Sequence, residues 1–303
     1  MQWTTMKRRT VRKLGRPIGA ISAMLVGSLT SACVGEPSTP PPLGVGLTTA
    51  ADVTAGLVEH HRYHHHGGIT LLIAMSLDTL SVSVAQQPAI DQVRATLRTA
   101  MAAARGSDDS LLRILADGVD AAHVDPAASD AAIAVIGAEN AAVFAASVDA
   151  LNELHGSLSR PQRAALFDKV AWHWTIWQSA TSDIARDNDW VATITDNLGL
   201  TAGQADAVHA AFETRRHGAP AFDPNEITES LHSLSDAFQK TDFDARTIPA
   251  ASLANEHMAI WGAEHLAYLV EAAVPVLHAD QRARLAKTLR EHASHGATAD
   301  RGR

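Results

Sequence analysis

Cysteine is nearly absent: Cys33 is the only one in 303 residues, so neither a disulfide framework nor a cysteine-built metal site can organise the chain. Aromatic residues make up 5 % of the chain, which leaves aliphatic side chains and alanine to build most of the core. Strand alternation and β-branched clusters are scarce beyond residue 50, removing the usual signals for a sheet. HExxH, a phosphate-binding glycine loop, a nucleophile elbow and a Cys/His pair are all missing. Catalysis has no motif to rest on, and the chain reads as a non-enzyme.

The first 32 residues lack acidic side chains but hold Lys7, Arg8, Arg9, Arg12, Lys13 and Arg16, followed by the apolar run IGAISAMLVGSLTSA. That run is shorter than the ~20 residues a bilayer span requires and suits a signal peptide over 1–32. LTSA before Cys33 resembles a lipoprotein cleavage box, so Cys33 is expected to become a lipid-bearing N-terminus. Val34 then permits sorting to the outer membrane, placing the chain at the periplasmic face of a bacterial envelope. Acyl chains would be the sole membrane anchor, because no second apolar run is expected to serve. Without the signal, 19 basic residues face 33 acidic ones, a net charge near −14 with histidine neutral. Such a surface disfavours nucleic acid and anionic headgroups.

Residues 33–50 carry the lipidated cysteine and a linker rich in Pro, Gly, Ser and Thr. Beyond them, alanine-rich and leucine-rich stretches predict an all-α fold. Turn chemistry places breaks at Gly106-Ser107, Asp125-Pro126, Ser159, Asn197 to Thr201, Gly218 to Asp223 and Pro249. Asp125 and Asp223 read as N-caps ahead of a first-turn proline, with Glu226 as the reciprocal partner of Asp223.

The second half resembles the first at a shift of 118 or 119 residues. Ser83-Val84-Ala85-Gln86 matches Thr201-Ala202-Gly203-Gln204, and Ser159-Arg160-Pro161-Gln162 matches His278-Ala279-Asp280-Gln281. Between them, LLRILADGVDAAHVD at 111–125 shares its apolar spacing with SLHSLSDAFQKTDFD at 230–244. Ser83, Ser159 and Thr201 can accept a bond from the third helical amide while Gln86, Gln162 and Gln204 reach back to the cap amide. On that reading Thr201→Ala costs about 1 kcal/mol and Gln204→Ala less. Leu158, Leu200 and Leu277 precede three of the boxes and are expected to plug the turns into the core.

Leu200-Thr201-Ala202-Gly203-Gln204, Leu158-Ser159-Arg160-Pro161-Gln162 and Leu277-His278-Ala279-Asp280-Gln281 resemble the LTxxQ signature of the Spy/CpxP family of bacterial periplasmic proteins. The resemblance implies two tandem helical hairpin units of about four helices each, at 69–180 and 188–295. Residues 181–187 connect them, 296–303 form a flexible tail, and the whole is a single-chain pseudo-dimer or a homo-oligomer. It further implies ATP-independent binding of unfolded or envelope proteins, or a role in envelope stress. The family's cradle is basic and this chain is acidic, so apolar contact would have to carry the binding.

A His-rich segment over 51–68 holds His60, His61, His64, His65 and His66. Neutral imidazoles at this density can share Zn or Cu in exchanging arrangements, or simply keep a junction hydrated. No cofactor is required, and the alternative function is a Zn- or Cu-binding lipoprotein for metal resistance or sensing. His257, Trp261 and His265 follow one helical face with the two histidines ~12 Å apart, which reads as a packed stripe. Trp172, Trp174 and Trp177 surround His173. Trp174 and Trp177 share a side and Trp172 turns elsewhere, so the trio serves either core packing or protein contact.

Overall fold

A computed structural model describes residues 67–185, 189–219 and 222–298, all helical or connecting, with no strand among them. Cys33, the linker, His60, His61, His64, His65, His66, residues 186–188 and the final five residues lie outside the described residues. Ten α-helices follow in order: α1 (Gly68–Leu77), α2 (Gln87–Ala100), α3 (Ala102–Asp120), α4 (Pro126–Ser157), α5 (Arg160–Ala185), α6 (Asp189–Leu198), α7 (Ala202–Arg216), α8 (Pro224–Gln239), α9 (Ala250–Ala273) and α10 (Ala279–Thr298). Short 3-10 turns at Ala245–Thr247 and Val274–Val276 precede α9 and α10.

Most boundaries follow local chemistry. Asp125 accepts from Ala127 N–H at 3.0 Å and Asp223 from Asn225 N–H at 2.9 Å, each beside a first-turn proline. Asp244, the equivalent of Asp125 at a shift of 119, caps its 3-10 turn in the same way through Arg246 N–H at 3.0 Å. Two expectations need correction. Gly106 and Ser107 lie inside α3, where the Ser107 hydroxyl donates to the Ala104 carbonyl at 2.8 Å. The chain turns instead at Met101, whose buried side chain fixes the α2–α3 junction without any turn residue. Glu226 does not close a box on Asp223; its carboxylate meets His257 Nδ1 at 2.8 Å, joining α8 to α9.

At a shift of 119 the helices correspond as α1 to α6, α2 to α7, α3 to α8, α4 to α9 and α5 to α10. The long helices α4 and α9 pack against each other as the central pair. They approach closely at Gly137, where a Cβ would stand 2.7 Å from Ile260 Cδ1. Two hydrophobic clusters flank this pair. One joins α1, α2, the second half of α4 and α5 to α8 and the first half of α9. The other joins α6, α7, the second half of α9 and α10 to the second half of α3 and the first half of α4. Each cluster therefore draws on both halves of the sequence, because α3 packs against α10 and α8 against α5. By composition α4 is long and apolar enough to cross a membrane, an apolar run that the anchoring argument from sequence did not count; here it lies against α2, α3 and α9.

Helix α1, GITLLIAMSL, is apolar nearly all round and packs among α2, α4, α5 and α9. Its first amides are buried and need acceptors. Asn140 of α4 and Asn255 of α9, both fully buried, supply them: Gly67 N–H donates to Asn140 Oδ1 and Ile69 N–H to Asn255 Oδ1 at 2.7 Å. Gly67 and Gly68 have φ of 88° and 47°. A Cβ on Gly68 would fall 2.7 Å from the Asn255 Cα, so only glycine fits there.

Candidate functional site

The four Ser/Thr/His–Gln boxes meet in two pairs, one per half. Gln86 Nε2 donates to Gln162 Oε1 at 2.9 Å and to the Ser157 carbonyl at 2.7 Å. In return, Gln162 Nε2 donates to Gln86 Oε1 at 3.0 Å and to the Ser81 carbonyl at 3.2 Å. Gln204 and Gln281 repeat the pattern: Gln204 Nε2 donates to Gln281 Oε1 and to the Val276 carbonyl, each at 2.8 Å, and Gln281 Nε2 reaches the Gly199 carbonyl at 3.3 Å. Each glutamine also accepts from its own cap amide, at 3.0 Å from Ser83, 2.9 Å from Ser159, 3.0 Å from Thr201 and 2.8 Å from His278.

A complete capping box exists at Thr201, where Gln204 N–H also reaches Thr201 Oγ1 at 3.3 Å. At the two serines the hydroxyl donates to the glutamine oxygen, at 3.1 Å for Ser83 and 2.9 Å for Ser159, as Thr201 Oγ1 also does at 3.2 Å. Leu158, Leu200 and Leu277 are buried beside these turns, as the sequence predicts. The boxes are thus structural clamps that tie the start of α2 to α5 and of α7 to α10.

Of the three tryptophans singled out for protein contact, only Trp172 is exposed, at 48 %. Trp174 and Trp177 are buried and stacked at 4.9 Å, and Trp177 meets Trp261 of α9 edge-on at 5.2 Å. Trp174 Nε1–H donates to Thr228 Oγ1 at 2.9 Å, binding α5 to α8. Both belong to the core. Trp261 continues onto His265 at 4.1 Å, whose Nδ1–H donates to the Trp261 carbonyl at 2.8 Å. His265 and His257 accordingly face different neighbours.

An ionic node ties α7 to both central helices. Arg215 donates to Glu271 at 3.1 Å and to Asp130 at 2.8 Å while its guanidinium lies 4.5 Å from the Tyr268 ring centre. Burial is the leading cause that pushes the Tyr268 hydroxyl up to about 12, with Glu264 adding to it; burial also raises the Glu264 carboxyl. Among the described residues no group of three or more His, Cys, Asp or Glu side chains could hold a metal ion.

A groove of about 640 Å³ lies between α5 and α8. Phe167, Val170 and Leu231 form its apolar floor, and Arg160, Asp168, His232, Ser235 and Gln239 its polar rim. Trp172 stands one turn beyond Asp168 on the same side of α5. Sequence reading singled out the Ser159–Gln162 box and Trp172 on α5 but not this groove, because its lining comes from two helices distant in sequence; α3 and α10 are the equivalent pair. Those two are clamped by Arg290, which meets Asp117 and Asp120 at 2.7 Å each. Compared with protein-family models, with curated proteins and with solved structures, the chain gives no match.

Proposed function

We propose that this chain is a non-catalytic protein of the bacterial envelope that binds unfolded or partner proteins without ATP, a doubled relative of the Spy/CpxP type in which one chain does the work of a dimer. The observation that carries this reading is the α5–α8 groove of about 640 Å³ with exposed Trp172 one turn beyond Asp168 on its rim, larger than the cavity of about 420 Å³ that Arg290 borders at the equivalent α3–α10 pair. The paired glutamine boxes support the family assignment, since they explain why Leu, Ser or Thr, and Gln recur at that spacing. Export, lipidation at Cys33 and an outer-membrane location complete the proposal; mass analysis of the native protein should find diacylglycerol on Cys33 and nothing upstream. The His60–His66 strip would bind Zn or Cu as a modulator. The decisive experiment is suppression of model-client aggregation by the tag-free protein, with and without Zn or Cu. Failure to bind any unfolded client, together with saturable tight metal binding lost on replacing His60, His61, His64, His65 and His66, would replace this reading with metal buffering or sensing.

A further inference from the structure

His155, in the last turn of α4, is matched by no histidine in the other half. At a shift of 119 it corresponds to Val274, and its ring neighbours Phe238 and Phe243 correspond to Val119 and Val124. Those three valines are buried together in the second hydrophobic cluster, a wholly apolar plug. In the first half the plug is an imidazole, stacked on Phe243 at 5.0 Å and met edge-on by Phe238 at 5.2 Å. Its Nε2 lies 2.8 Å from the Lys240 carbonyl, at the C-terminal end of α8, and also against Nη1 of Arg163 on α5. Arg163 Nη1 in turn reaches the same carbonyl at 3.4 Å, while its Nε is buried with no acceptor among the described residues. Arg282, the equivalent of Arg163, donates to the Leu277 carbonyl at 2.6 Å instead.

One imidazole nitrogen cannot serve both neighbours at once. A bare Nε2 accepts from the Arg163 guanidinium, whereas a protonated Nε2 donates to the Lys240 carbonyl and sets its own N–H against those of Arg163. We propose that His155 is a pH-sensitive latch between α5 and α8. With the ring neutral, Arg163 is held between Nε2 and the Lys240 carbonyl, which ties the start of α5 to the end of α8. With the ring charged, Nε2–H takes the carbonyl at the helix end and Arg163 leaves for water, where its Nε also finds an acceptor. The charged groups around the ring do not compensate the exchange. Arg163 is the ionic group in contact from α5, and Lys240 is exposed at the end of α8. In the following turn Asp242 is exposed and Asp244 is engaged by Asn152 and Arg246; on α4, Glu153 is exposed and Asp149 pairs with Arg246. The latch borders the groove, since the lining residues Arg160 and Gln239 lie just ahead of Arg163 and Lys240. Acid therefore frees that end of the groove from its tie.

The test begins with the full chain labelled with ¹⁵N-histidine and long-range proton–nitrogen correlation, the His155 signal being the one lost in His155→Gln. At about pH 8 its Nε2 should be bare and its Nδ1 protonated; at about pH 5 both nitrogens should carry protons. Hydrogen exchange then reads the latch itself. After correction for intrinsic rates, protection of amides 164–167 should fall about threefold or more between those two pH values. His155→Gln can accept from Arg163 without titrating and should keep these amides protected at both, which separates loss of the latch from misfolding. His155→Val, the residue of the equivalent site, and Arg163→Gln both remove the latch and should show the lower protection already at the higher pH. Amides 283–286 of α10, which follow Arg282, should not respond in any of these proteins. An Nε2–H ring at the higher pH, an acid response that persists in His155→Gln, or an equal response at 283–286 would overturn the inference.

Discussion

Replacing Gln204 by alanine should destabilise the protein more than replacing Thr201, the reverse of what a simple capping box predicts. The Thr201 hydroxyl accepts from Gln204 N–H at 3.3 Å and donates to Gln204 Oε1 at 3.2 Å, both within one exposed turn where water can replace them, and Thr201→Ala should cost ~1 kcal/mol. Gln204 accepts from Thr201 N–H at 3.0 Å, donates to the Val276 carbonyl at 2.8 Å and exchanges bonds with Gln281 at 2.8 and 3.4 Å. At a net ~1 kcal/mol per bond, reduced because the side chain is half-buried and water can replace part of the loss, Gln204→Ala should cost about 2–3 kcal/mol. Gln204→Glu keeps the acceptor at a favourable helix N-terminus but cannot donate to Val276 or Gln281, and should fall between the two. A double-mutant cycle with Gln281→Ala should return a coupling of ~1 kcal/mol. Urea unfolding followed by circular dichroism measures each value if the slope is unchanged among variants. A cost for Gln204→Ala no greater than for Thr201→Ala, or a cycle that closes additively, would refute the clamp.

Asn255→Ala should cost about 1–3 kcal/mol by the same assay, since it strands the buried Ile69 amide and Thr70 hydroxyl. Gly68→Ala should lower stability, because its φ of 47° and the 2.7 Å approach to Asn255 Cα exclude a side chain, whereas Gly106→Ala, inside α3 with open space at its Cβ, should raise stability by about 0.5–1 kcal/mol. Tyr268 should titrate near 12 by near-ultraviolet absorbance in a Tyr63→Phe background, which leaves it the only tyrosine. The folded state then holds its proton where the unfolded chain releases it, so stability is full below pH 10 and falls as pH rises through 12; a midpoint near 10 would contradict its burial.

The helix starts were legible because capping is local: Asp125-Pro126, Asp223-Pro224 and the Thr201–Gln204 box announce themselves within four residues, whereas the Ser83–Gln86 box closes a turn ahead of α2, which starts only at Gln87. What the boxes do with one another was not. Gln86 and Gln162 meet across 76 residues and Gln204 and Gln281 across 77, and no local pattern encodes that distance. The repeat was visible in the apolar spacing of 111–125 and 230–244, yet not the exchange of α3 and α8 between halves. An amphipathic face says that it will be covered, and two equivalent covers were on offer. Gly106 misled because glycine suggests a turn, while the real junction is held by the burial of Met101. Asn140 and Asn255 left one faint trace, a lone amide within each alanine-rich run, whose role needed α1 to become apparent.

The exchange of α3 and α8 also sets the order in which the chain can mature. Asp117 waits 173 residues for Arg290, and the cluster holding Leu111 and Leu115 closes only when Leu285 and Leu289 arrive. A nascent chain emerging from its N-terminus therefore carries an unfinished apolar surface on α3 until the last helix is available, and long-range closure of this kind is slow. Truncation within α10 would consequently damage the beginning of the protein as much as its end.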